Sequence, residues 1–111
     1  MVEVQLLGER MRVPAHFDAE VLAAVCKALR LRRIDEDQAR VALFHLRALR
    51  AERVALTPLL PEAFALRDRF GVYDAFYAVV AYVSEATLVT CDRGLARAAE
   101  GYCKVAYVAT R

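Results

Sequence analysis

Val72-Tyr-Asp74-Ala-Phe-Tyr-Ala-Val-Val-Ala-Tyr-Val83, followed by Ser-Glu-Ala and then Thr87-Leu-Val-Thr90-Cys-Asp92, is the stretch that decides the fold. Val72 to about Glu85 reads as a helix that is apolar on most sides and therefore buried. Ala86 to Cys91 reads as a short apolar strand running straight into Asp92. Downstream, Asp92 to Ala99 predicts a short helix and Lys104 to Val108 a last strand. Upstream, Leu60 to Phe70 predicts a helix with Gly71 as its C-terminal stop, preceded by a Thr57-Pro58 turn and a short strand over Arg53–Leu56. Asp35-Glu-Asp-Gln38 is a capping-box pattern opening a helix to about Leu49, with Val41, Phe44, Leu46 and Leu49 turned inward. Asp18 to about Arg32 carries Val21, Leu22, Val25, Cys26 and Leu29 at one-faced helical spacing. Met11-Arg-Val13 reads as a strand stopped by Pro14, and Leu6–Arg10 as the end of a helix. Short apolar strands alternating with helices imply an α/β sandwich, a parallel sheet covered by helices on both faces, in one domain over residues 1–111.

Composition agrees with a packed domain. The 111 residues are 59% hydrophobic, which excludes a disordered chain. No apolar run reaches the roughly 20 residues of a membrane span, and the first residues do not resemble a secretory signal. Cys26, Cys91 and Cys103 are odd in number and form no CxxC pair. They suit a reducing cytoplasm better than disulfides or zinc, with Cys26 and Cys91 expected in the core. Net charge is only +2. Lys27, Arg30, Arg32, Arg33, Arg40, Arg47, Arg50 and Arg53 crowd one region, as phosphate contacts or as a solvated helix surface.

Ligands of open parallel sheets gather outside the carboxyl ends of the strands, and three acids are expected at that edge. Glu20 lies in the first turn of the helix after the Met11 strand, Asp74 opens the apolar helix, and Asp92 directly follows the Ala86–Cys91 strand. Each alone reads as a helix-start acid, Asp92 most of all. Together, with apolar neighbours, they point to a hard divalent cation, because like charges forced together need one between them. Asp18 is expected to cap the helix carrying Glu20, and His16 to be structural. No Ser-His-Asp set, Walker loop or GxGxxG is present.

At these residues the sequence resembles PIN-domain ribonucleases, in particular toxins of the VapC type. The matching stretches are Pro14-Ala-His-Phe-Asp-Ala-Glu20-Val-Leu, Leu56-Thr-Pro-Leu-Leu-Pro61, Val72-Tyr-Asp74-Ala-Phe-Tyr-Ala and Leu88-Val-Thr-Cys-Asp92-Arg-Gly-Leu-Ala-Arg97. The resemblance implies a sheet of about five parallel strands and Mg²⁺- or Mn²⁺-dependent endonucleolytic cleavage of RNA. It assigns the metal to Asp74, Asp92 and Glu20, a supporting hydroxyl to Thr90 and an RNA-contact candidate to Arg93. It also implies a cytoplasmic toxin, a cognate antitoxin that covers the cleft, and a homodimer.

One departure bears on all of this. Relatives of this type start with a central apolar strand ending in a metal-binding Asp, whereas Met1-Val-Glu-Val-Gln-Leu-Leu aligns with the helix after it. The first central strand is therefore missing. The expectation is a gene product starting upstream of Met1. Otherwise it is a split sheet with unpaired edges and a three-acid site of weakened activity, acting as a dimerisation or antitoxin-binding module. A Mg²⁺-dependent phosphatase or receiver-like domain ranks lower, because neither Lys27 nor Lys104 is suitably placed.

Overall fold

The computed structural model describes residues 2–3 and 11–109. The expected helix end at Leu6–Arg10 lies outside the described residues. The order is β1 (Val2–Glu3), β2 (Met11–Pro14), α1 (Phe17–Arg30), α2 (Glu36–Ala48), β3 (Ala51–Val54), a 3₁₀ turn (Thr57–Leu59), α3 (Leu60–Ala65), α4 (Val72–Val83), β4 (Thr87–Thr90), α5 (Arg93–Ala99) and β5 (Lys104–Tyr107). This is the expected α/β sandwich class, built from helices and short parallel strand pairs. Backbone contacts divide it into two units: one runs to Ala15 and resumes at Ala51, the other is His16–Arg50.

Among the described residues of the first unit the strands fall into two sheets, the split expected of a sheet without its first central strand. β2 pairs with β3 in parallel, Met11 opposite Ala51. β4 pairs with β5 in parallel, Thr87 opposite Lys104. On its other side β4 takes Val2–Glu3 antiparallel, where the sequence led us to expect helix. Strand β3 begins two positions earlier than predicted, because pairing with Met11 sets its start. Its end is fixed by the Ala15 N–H, which donates to the Val54 carbonyl at 2.9 Å. Pro14 closes β2, where its missing N–H costs nothing.

The core of this unit is α4. Ala75 through Ala81 are all buried, together with Val13, Leu59, Ala63, Phe70, Leu88, Leu95 and Ala99, and α4 packs on β2, β4 and α3. Full burial of a Val or Leu side chain contributes about 1.5–3 kcal/mol, so this helix anchors both sheets. Only its ends emerge: Val72, Tyr73, Tyr82 and Val83 are exposed. Two predictions about its start change. Helix α3 stops at Ala65, the chain turning through Leu66–Phe70. Gly71, at φ −62°, is the extended N-cap of α4 and not a left-handed stop. At the other end, Glu85 takes φ +52°, and the Ala86 N–H returns to the Ala81 carbonyl at 2.9 Å, a Schellman turn.

The connection from α3 to α4 is tied to α5 by Arg69, whose guanidinium donates to the carbonyls of Ala98 and Glu100. A cation there meets the negative end of α5. Tyr102 packs edge-on against Phe70 and stacks on Tyr82 at 4.9 Å.

The second unit is the pair α1 and α2. The capping box is present as read: the Asp35 carboxylate accepts the Gln38 N–H at 2.8 Å, and the Asp35 N–H donates to Gln38 Oε1 at 2.9 Å. Arg32 at φ +57° ends α1 two residues before expectation. Asp18 is not the cap; His16 holds that position, and Asp18 sits inside the first turn. Cys26 is exposed and Cys91 only half-buried, against the expectation of core cysteines. Leu22, Leu29, Val41 and Phe44 are likewise exposed. Periodicity marks an apolar face without saying how much of it is covered. Lys27, Arg30, Arg32, Arg33, Arg40, Arg47 and Arg50 are all exposed, and Arg40 pairs with Glu36 one turn away at 2.6 Å.

Candidate functional site

The edge where β4 ends is built by the tight return from α4. Ser84–Ala86 reverses the chain, so α4 and β4 run in opposite directions against one another. The first turn of α4, with Asp74, and the residue after β4, Asp92, therefore lie at the same edge. Asp74 is half-buried and one turn into the positive end of a buried helix, where an anion is favoured.

Asp92 is held more closely. Thr90, 1% exposed, turns its hydroxyl back so that Oγ1 accepts the Asp92 N–H at 3.0 Å. Asp92 is the N-cap of α5, and its Oδ1 accepts the Leu95 N–H at 3.1 Å. The cap-like reading of Asp92 is thus realised. The role seen for Thr90 is to fix the strand-to-helix turn. The sequence reading overlooked Gly94: a Cβ there would stand 3.3 Å from Asp92 Oδ1. The Asp-x-Gly spacing was the available signal, since a small residue two positions on leaves a carboxylate room.

Arg93 lies at the same edge. Its guanidinium carbon sits 5.5 Å from the centre of the Tyr107 ring, and Nη2 donates to the Tyr107 hydroxyl at 3.5 Å. The last residues of β5 are fastened there by the Val108 N–H, which donates to the Thr90 carbonyl at 2.8 Å.

Glu20 belongs to the other unit. It is exposed in the first turn of α1, with Oε1 3.6 Å from Nε2 of His16. His16, expected to be merely structural, is its partner at helical spacing. Two of the three acids are therefore exposed, not enclosed among apolar side chains as expected; only Asp74 is half-buried. Among the described residues no three His, Cys, Asp or Glu side chains are gathered so as to share a metal ion. The donor set still fits a hard divalent cation in chemistry: carboxylate oxygens at two helix starts. Among the described residues no helix is long and apolar enough to cross a membrane.

Comparison with known proteins gives the relatives of the chain as a whole. The family model described as PIN domain matches residues 1–101. Ribonuclease VapC3 of Mycobacterium tuberculosis is 37% identical over 97 residues, spanning 87% of this chain and 71% of that protein. Ribonuclease VapC12 of the same organism is 33% identical over 93 residues, 84% of this chain and 72% of that one. Ribonuclease VapC9 is 26% identical over 103 residues, 93% and 81% respectively. No solved structure matches significantly.

Proposed function

The chain belongs to the PIN-domain family, and from that premise we propose that it is the endoribonuclease toxin of a toxin–antitoxin pair, acting in the cytoplasm. The observation that carries this reading is the pair of carboxylates, Asp74 and Asp92, at the edge where β4 ends and α4 begins. The likeness to proteins named ribonucleases supports it.

Asp74 and Asp92, with Glu20, are the residues that would hold Mg²⁺ or Mn²⁺. Such an ion, when bound, supplies a Lewis acid and lowers the pKa of water. The chain's own residues do the positioning. Thr90 holds the Asp92 backbone, so the carboxylate starts from one orientation. The buried body of α4 gives Asp74 a rigid base, which loop-borne ligands lack. Arg93, set beside Tyr107, supplies positive charge for a phosphate approaching the two acids. A cognate antitoxin and a second copy of the chain are the expected protein partners.

A second reading is a catalytically impaired member that serves as a dimerisation or antitoxin-binding module. It is favoured by the lack of a three-acid group among the described residues. One assay separates the two: purified chain incubated with labelled RNA, with Mg²⁺ or Mn²⁺ and with EDTA. The ribonuclease reading expects cleavage that EDTA stops and that Asp74→Asn removes. RNA left intact under every condition selects the impaired module.

A further inference from the structure

Helix α5 and strand β5 enclose a groove that the acids do not use. Arg93, Ala96, Arg97, Glu100, Val105 and Tyr107 line it, with a volume of about 370 Å³. Arg93 and Arg97 stand one turn apart on the same helix face. Tyr107 is 40% exposed at the end of β5, with the Arg93 guanidinium against its ring. Because α5 joins the parallel strands β4 and β5, its start and the end of β5 share the edge that carries Asp92. The groove therefore opens beside Asp92 and runs down α5 towards Glu100.

We infer that this groove is a subsite for single-stranded RNA, in which a base stacks on Tyr107 while Arg93 and Arg97 meet the backbone phosphates. The inference rests on the ribonuclease reading for its ligand and deepens it. The chemistry of the lining selects the occupant. An exposed aromatic face takes any base, but only one not already stacked inside a duplex. Two guanidiniums against one carboxylate favour a polyanion. Glu100 closes the far end, where its charge turns phosphates away, so the groove accepts a short stretch of strand. An edge strand such as β5 also invites a peptide strand, yet two arginines on the groove wall favour a phosphate backbone over a peptide.

The test is equilibrium binding of a fluorescent oligouridine, followed by anisotropy in EDTA so that nothing is cut, beside a cleavage assay with Mg²⁺. Tyr107→Ala is expected to weaken binding roughly tenfold, and Tyr107→Phe to leave it unchanged, because the ring face and not the hydroxyl is used. Arg97→Ala is expected to weaken binding and to flatten the log–log salt dependence by about 0.7. Glu100→Gln is expected to tighten it. The subsite is overturned if Tyr107→Ala, folded by circular dichroism, binds oligouridine as the parent does. It is equally overturned if duplex RNA binds as tightly, or if these changes abolish antitoxin binding while oligouridine binding stays intact. Should the parent bind with this Tyr107 dependence yet cleave nothing, the nuclease reading falls and the subsite stands. Should Tyr107→Ala bind and cleave as well as the parent, the subsite falls alone.

Discussion

Thr90 and Asp92 are joined across a single intervening residue: the buried Thr90 hydroxyl accepts the Asp92 N–H at 3.0 Å. The last residue of β4 thereby sets the direction in which α5 starts and in which the Asp92 carboxylate is presented. Thr90→Val keeps the shape and removes the acceptor. A backbone N–H left without its partner costs about 1–3 kcal/mol, so urea denaturation should show a loss of that size. Thr90→Ser, which retains the oxygen, should recover most of the activity. Equal RNA cleavage by Val and Ser variants would remove the positioning role.

Asp92 is both a cap and a proposed ligand, and two substitutions separate the roles. Asparagine caps about as well as aspartate, whereas alanine costs about 0.5–2 kcal/mol. Asp92→Asn should therefore melt close to the parent, and Asp92→Ala several degrees lower. Cleavage should be lost in both. If Asp92→Asn retains cleavage, Asp92 is only a cap.

Gly94 leaves space for the same carboxylate. In an ordinary helix Gly→Ala gains about 1 kcal/mol. Here the new Cβ would stand 3.3 Å from Asp92 Oδ1, so that gain should shrink and cleavage should fall several-fold. A fully stabilised and fully active Gly94→Ala would mean that Asp92 shifts at no cost.

Glu85 holds the left-handed position that turns α4 back into β4. A non-glycine residue there costs on the order of 1 kcal/mol. Glu85→Gly should raise stability by somewhat less than that, since glycine also loosens the unfolded chain. Thermal melting decides the sign, and a lower midpoint would refute the strain.

Cys103 and Tyr102 are predicted to make the fold sensitive to alkali. Burial raises the Cys103 thiol above its ordinary 9.0, with the Arg69 guanidinium opposing it. Burial likewise raises the Tyr102 phenol above 10.0, helped by Glu62. A raised folded pKa gives stability that is complete below the unfolded value and is lost as pH rises through the folded one. Melting midpoints should therefore decline above about pH 9, in the thiol and phenol range. Cys103→Ala should flatten the first part of that decline; an unchanged slope would assign it to other groups.

The sequence alone determined what depends on residues a few positions apart. The apolar run of α4, the Asp35–Gln38 capping box, the strand leading to Asp92 and the alternation of strands and helices all follow from local periodicity and short hydrogen-bonded patterns. These patterns repeat wherever the chain carries them. What only the tertiary structure decided depends on which distant surfaces meet. The exposure of Cys26 and Phe44, the extended role of Gly71, the antiparallel pairing of Val2–Glu3 with β4 and the approach of Arg93 to Tyr107 are of this kind. Packing resolves them, because the same apolar face or charged side chain satisfies local rules equally well whether covered or left in water.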